Sequence, residues 1–389
     1  QHENKEKMRH DKALKRDWFF FVSLALVLLL GKLFYPLAAA VGQANDQHRP
    51  TRLIIGAGAR GWDLIEYQEI FQSASEYCGA SSVLRLSFPK GSSTLKVFHG
   101  AIKDLRPSHY FFDPRSGSQN AFKGIWEALI IGIVLSHYGV TPICSLTDFP
   151  VRTWRLQCAM VSARRGVVTT LMPPRLVSHL FPHRRLIGPM PFPLSKATFD
   201  RLYDSRPRNR EGSKKRAVFV GSLYEPRKSV IMALQELLRV DGIDLEIVGR
   251  APDGRRVSND EYWRLIQRAN LVISTSSQIS GSHTDIEGHN HFIYKFIEAT
   301  GAGSALAIEP APGIEKFFTA DVDYISYTSA EEGARKIRAL WASPSRLEEI
   351  ARRGYEKAKV LVETQCFWTT VDAELGSQPL RTPAKTAAS

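Results

Sequence analysis

The sequence predicts an α/β protein built from two doubly wound domains that face each other across a cleft. Three observations lead there. Short apolar runs alternate with helix-period segments through both halves of the chain, as strands and helices do in parallel sheets. Two of the strands, 52–55 and 217–220, run into glycine turns, GAGARG and GSLYEPRK, at the strand ends where open α/β sheets place ligands. The chain's 389 residues are also too many for one ordinary core and fit two of about 150.

Composition narrows the class. At 43% hydrophobic and 23% charged the chain is ordinary globular protein and not a disordered polyelectrolyte. A net charge of +13 attracts polyanions. The arginines are scattered among predicted helices, with no aromatic–basic alternation and no zinc-finger spacing, so nucleic acid is not an expected partner. Phosphate handling and membrane proximity account for the charge better. Cys78, Cys144, Cys158 and Cys366 form no C-x-x-C pair and read as buried free thiols. His289 and His291 alternate as chelating residues can, but no third ligand accompanies them, and no metal site is expected.

The N-terminal flank, 1–17, carries Lys5, Lys7, Arg9, Lys12, Lys15 and Arg16. Residues 18–41 follow as an apolar stretch interrupted by Lys32, long enough to cross a bilayer. A single membrane helix is the expectation; a signal peptide ending near Ala38-Ala39-Ala40 and a buried helix of the first domain are the alternatives. The positive-inside bias keeps the flank cytosolic and carries the bulk of the chain across. That suits a type II Golgi protein in a eukaryote. In a bacterium the segment would lie along the cytosolic face of the inner membrane. No N-x-[ST] sequon occurs, and the chain opens on Gln1, so its true start is expected upstream.

The first domain spans 50–200. Strand 52–55 leads into the turn of Gly56, Gly58 and Gly61, and helix 62–74 follows. Strands are expected at 82–86, 110–112, 141–145, 167–170 and 186–188, with a helix over 121–137. Asp148-Phe149-Pro150 stands at the carboxyl end of the 141–145 strand. The polar stretch 195–211, ending in RPRNRE, reads as the connection between domains, with the linker proper at 201–215.

The second domain spans 216–364. Strand 217–220, Gly221, the basic pair Arg227 and Lys228, a helix over 230–238 and a strand at 244–248 form a phosphate-handling unit. Arginine and lysine there can neutralise a diphosphate. No Walker A and no G-x-G-x-x-G signature is present. Residues 289–310, HNHFIYKFIEATGAGSALAIEP, read as loop, short helix, glycine break and inner strand. Phe292, Phe296 and Ile297 share a core face, and Glu298 is an ionisable oddity beside it. A helix start on such a loop favours an anion. Helices at 330–342 and 345–362 cover the domain, a final helix at 365–375 lies within a crossover segment 365–379, and 380–389 reads as a disordered tail.

VFVGSLYEPRKSVIMAL, DLEIVGR, SNDEYWRLIQRANLVIS and YKFIEATGAGSALAIEP, within residues 216 to 368, together resemble the C-terminal half of a GT-B glycosyltransferase. They resemble most the family 1 glycosyltransferase domain, in its divergent, spore-maturation-protein-like branch. The resemblance implies a nucleotide-sugar donor as substrate, a glycan or lipid-linked acceptor, and no cofactor or bound metal. By the same resemblance Gly221, Ser222, Arg227 and Lys228 hold the donor diphosphate, Glu298 binds the ribose, and the final helix returns to the first domain.

One departure stands out. Retaining members carry a second glutamate where this chain has Asn290, eight positions before Glu298. Glu287, His289 and Asn290 lie in the corresponding loop and are candidate donor contacts, while retaining or inverting chemistry stays open. An inverting transfer needs a carboxylate or imidazole to take the acceptor proton; Asp148 and His137 are the candidates. The expectation is a membrane-attached GT-B glycosyltransferase. The alternatives are an exostosin-like transferase, or a catalytically silent GT-B scaffold that binds nucleotide or glycan.

Overall fold

The computed structural model describes residues 29, 34, 52–58, 64–88, 94–116, 121–146, 152–163, 165–178, 185–205, 215–249, 257–275, 290–376 and 379–380. The apolar stretch 18–41 lies outside these residues apart from Leu29 and Phe34. Among the described residues no helix is long and apolar enough to cross a membrane.

The first domain holds strands β1 (Leu53–Gly58), β2 (Val83–Phe88), β3 (His109–Phe112), β4 (Thr141–Leu146), β5 (Val167–Thr170) and β6 (Arg185–Ile187). They form one parallel sheet in the order β2-β1-β3-β4-β5-β6. The second domain holds β7 (Ala217–Val220), β8 (Leu245–Val248), β9 (Leu271–Ile273), β10 (Ala305–Ile308) and β11 (Ile325–Ser326). Its sheet, also parallel, runs β11-β10-β9-β7-β8. In each sheet the first strand has the second on one side and the third on the other. The order therefore reverses beside β1 and again beside β7, and crevices open at the carboxyl ends there.

Both sheets are covered on both faces, which is why their strands read as apolar runs and not as alternations. Leu53, Ile55, Phe111, Ile143 and Val167 pack on one face of the first sheet, and Ile54, Tyr110, Phe112, Cys144 and Val168 on the other. Val218, Val220, Val272 and Leu306 face one side of the second sheet; Ala217, Phe219, Leu271 and Ala305 face the other. At Gly56 the packing is so close that a Cβ would collide with the Tyr110 hydroxyl. A helix absent from the sequence reading, Thr94–Leu105, fills the β2–β3 crossing with Phe98 and Ile102.

The connection read as a polar linker is in part a packed helix, Lys196–Asp204. Phe199 and Leu202 are buried in the second domain's core. Its N-terminus is gripped by helix Ile65–Cys78 of the first domain. Glu69 accepts hydrogen bonds from Ser195 N, Ser195 Oγ and Thr198 Oγ1 at 2.9, 2.7 and 2.7 Å. Glu76 accepts from Lys196 N at 2.7 Å. Carboxylates there satisfy the first helical N–H groups and complement the dipole.

The chain crosses back through helix Cys366–Leu375, whose Phe367, Trp368, Val371 and Leu375 join the first domain's core. Trp368 Nε1 donates to Ser73 Oγ at 3.0 Å and the Tyr77 hydroxyl donates to Asp372 at 2.9 Å, both reaching helix Ile65–Cys78. Packed structure extends to Leu380, which is buried in the same cluster and donates its N–H to Asp372. Leu380 is therefore not part of the tail read over 380–389, and residues 381–389 lie outside the described residues.

Candidate functional site

A cavity of about 730 Å³ opens between the two domains at both switch points. Ile65, Glu66, Arg115, Leu171 and Phe192 line it from the first domain. The second contributes Gly221, Ser222, Tyr224, Arg227, Tyr262, His291, Tyr294, Lys295 and Glu298, among others. Its size is that of a small-molecule site.

Arg227 opens helix Arg227–Arg239 and crosses the switch point. Its Nε donates to Thr275 Oγ1, just past β9, at 3.1 Å, and its Nη1 donates to the Ser222 carbonyl at 3.4 Å. The guanidinium sits 4.4 Å from the centre of the Tyr224 ring. These contacts fix a cation at the mouth of the β7 turn. Gly221 and Gly249 form a bare rim beside it, since a Cβ on Gly249 would lie 3.8 Å from the Gly221 carbonyl.

Glu298 lies in helix Lys295–Gly301, which is seven residues long. Phe292 precedes it, and its N–H donates across the domains to the Leu171 carbonyl at 3.0 Å. Phe296, Ile297 and Ala299 are buried, and Glu298 is only 2% exposed. Lys295 Nζ is 3.1 Å from Glu298 Oε2, and the Tyr262 hydroxyl contacts both groups. Burial pushes the Glu298 carboxyl above its ordinary value, with Lys295 and Tyr262 opposing. Burial pulls the Lys295 ammonium down, with Glu298 opposing. Burial first, then the charge of Glu298, holds the Tyr262 hydroxyl well above the usual range. The result is a buried acid–base pair in the cleft wall, with both donors addressed to one carboxylate oxygen.

From the facing domain comes Arg115, just past β3. Its guanidinium forms a forked pair with the fully buried Asp113, Nη2 to Oδ2 at 2.8 Å and Nε to Oδ1 at 3.2 Å. Burial works against its charge, but Asp113 outweighs that and raises its pKa further. Glu66, in the first turn of helix Ile65–Cys78, is the carboxylate this domain adds to the cavity wall among the described residues.

The cavity thus brings together Gly221, Ser222, Arg227 and Glu298. It does not include Lys228, which is exposed on the next position of the same helix. Asn290 does not line it either; its side-chain amide donates to the Pro310 carbonyl at 3.0 Å and braces the loop. His137 is a correction to the sequence reading. It ends helix Ala121–His137 just ahead of β4, at the amino edge of the sheet and away from the cleft, with its ring against Tyr138 at 4.7 Å. In a parallel α/β unit a crossing helix ends at that edge, so its last residue cannot reach the carboxyl-end crevice. Asp148, Glu287 and His289 lie outside the described residues. Among the described residues no three His, Cys, Asp or Glu side chains are grouped to hold a metal ion.

Sequence reasoning missed Arg115, Glu66, Tyr262 and Lys295. Arg115 follows a strand's carboxyl end, where the open-sheet rule points. Lys295 sits three residues before Glu298 on a helix, a spacing that pairs charges. Tyr262 carried no such signal, because it reaches Glu298 from a separate helix.

Two parallel sheets of like topology, with a cleft between their switch points, are the GT-B architecture. Residues 227–365 match the family described as "Glycosyl transferase-like". That match makes residues 227–365 similar to a glycosyltransferase domain and supports glycosyltransferase as the enzyme class. Solved structures agree in fold. A sucrose-phosphate synthase from Thermosynechococcus elongatus superposes with a TM-score of 0.56 at 10% identity, over 84% of this chain and 98% of that one. HepE of Anabaena, solved in complex with UDP-glucose, gives 0.55 at 11% identity over 84% and 100%. A glycosyltransferase from Rickettsia africae gives 0.52 at 10% over 85% and 100%. At such identities the likeness is one of fold. No curated protein matches the chain by sequence.

Proposed function

We propose that the protein transfers a sugar from a nucleoside diphosphate sugar to a glycan or lipid-linked acceptor, with the donor in the interdomain cleft. The observation that carries this reading is the presence of a buried carboxylate, Glu298, and a fixed cation, Arg227, in the wall of one cavity. A carboxylate suits ribose hydroxyls as an acceptor of hydrogen bonds, and an arginine suits a phosphate. Gly221 and Ser222 bring backbone close to the diphosphate. Arg227 stabilises the charge that develops on it as the sugar leaves, the largest demand of such a reaction. The fold-mate HepE, solved with UDP-glucose, makes a uridine donor the first to test. Arg115 and Glu66 face the donor wall and belong to the acceptor side. Attachment through residues 18–41 would bring a lipid-linked acceptor to the cleft.

A thermal-shift panel of UDP, GDP, CMP, ADP and dTDP on the intact chain tests the reading. One nucleotide is expected to raise the melting temperature selectively, and Glu298→Ala is expected to remove that rise. If none of the nucleotides shifts a cooperatively melting protein, the cleft is not a nucleotide site.

A further inference from the structure

Among the described residues the second domain turns two cations toward the cleft, and they are held differently. Among the described residues Arg227 forms no ion pair; hydroxyl, carbonyl and ring contacts orient it. Lys295 is engaged with Glu298. The remaining groups of the β7 turn supply no second charge, since Ser222 is neutral and Lys228 is exposed outside the cavity. A diphosphate carries more negative charge than one arginine neutralises. The charge of Arg227 is also felt at Lys295, so the two cations act on one region.

We propose that Lys295 is the second diphosphate-binding cation, and that it takes up this role by exchanging Glu298 for the donor. The ribose hydroxyl takes the carboxylate and a phosphate oxygen takes the ammonium, so the ion pair seen here is a placeholder for the ligand. This inference rests on the nucleotide-sugar reading of the cleft. The physical reason is the cost of a lone buried charge. Lys295 is 11% exposed in its side chain and Glu298 2%, so separating them without replacement partners strands both. A ligand that offers a hydroxyl and an anion together replaces both partners at once. A nucleoside or an inorganic anion replaces one. The Tyr262 hydroxyl, in contact with both groups, stays with the carboxylate when the lysine leaves. The pair thereby selects for ligands that combine sugar hydroxyls with phosphate.

Calorimetry on the intact chain separates the possibilities, with UDP and uridine as probes, and GDP and guanosine as a second set. Lys295→Met is expected to weaken the diphosphate by about tenfold or more, the loss of one hydrogen bond to a charged group, and to leave the nucleoside unchanged. Glu298→Gln is expected to weaken both. Lys295→Met leaves Glu298 buried without its cation, so the double variant Glu298→Gln/Lys295→Met provides a form with neither charge. It should bind UDP more weakly than Glu298→Gln alone, with equal affinity for uridine. Lys295→Arg should recover most of the diphosphate affinity. Equal losses for UDP and uridine in Lys295→Met would mean that the lysine only orients Glu298, and would overturn the proposal. So would unchanged UDP binding. Failure of the unmodified protein to bind either diphosphate would remove the nucleotide reading itself, and this proposal with it.

Discussion

Glu298 shows how a single side chain organises the cleft. A carboxylate at 2% exposure is held there by two donors, an ammonium one helical turn before it and a phenol from a separate helix. Removing the phenol's contribution has a defined cost. Tyr262→Phe keeps the ring against Trp263, where the centroids lie 5.1 Å apart, and deletes only the hydroxyl. It is expected to lower stability by about 1.5–3 kcal/mol, the range for a hydrogen bond to a charged group, measured by urea denaturation. The same residue marks a limit of sequence reading. Glu298 was legible as an ionisable group on a core-facing helix, whereas its phenolic partner depends on how two separate helices meet. The basic pair Arg227 and Lys228 shows another limit. Adjacent helical residues point about 100° apart, so one of the two faces the cleft and the sequence does not say which.

Individual elements carry their own switches. Helix Ala330–Trp341 begins with Ser329 accepting from Glu332 N at 3.2 Å. Glu332 reaches back to Thr328, accepting from its hydroxyl at 2.7 Å and its N–H at 2.9 Å. The Thr328 contacts, joined by Lys336, hold the Glu332 carboxyl down at about 2. A carboxylate depressed in the folded state stabilises fully above its unfolded value of about 4.3 and loses that contribution as pH falls toward its folded value. Glu332→Gln should therefore lower the melting temperature at neutral pH, with the difference from the parent closing between about pH 4 and 2. Scans at pH 7, 4 and 2.5 check it. Among elements, strand identity was the most readable feature: β5 occupies residues 167–170 as expected, and β10 falls in the stretch read as an inner strand. Helix Lys196–Asp204 was not. Its two buried apolar residues, Phe199 and Leu202, are too few to stand out in a polar stretch. Their packing partners come from the second domain, beyond the reach of local pattern.

At the scale of the molecule, each half repeats one arrangement: a parallel sheet whose order reverses beside its first strand. Alternation of strands and helices made that legible, and the carboxyl-end rule placed the cleft. Which residues meet across the cleft was not legible, because it depends on the relative placement of two separate sheets. The return of the chain through helix Cys366–Leu375 binds those sheets together. Trp368 is buried against Phe111 and Phe367, with centroids at 5.9 and 4.9 Å, and anchors that return. Trp368→Ala is expected to cost about 3–5 kcal/mol, the range for deleting a large buried aromatic. Chemical denaturation followed by tryptophan fluorescence, with the remaining indoles as reporters, reads the loss.

Helix Ile65–Cys78 has a mechanical consequence. Its fourteen residues make a rod of roughly 20 Å. One end, at Ile65 and Glu66, forms part of the cavity wall. Further along, Glu69 and Glu76 hold the outgoing chain, and Ser73 and Tyr77 hold the returning one. Both passages of polypeptide between the halves are thus fastened to a single axle whose tip projects into the binding space. Any shift of that axle would be passed to the cavity wall and to both crossings at once.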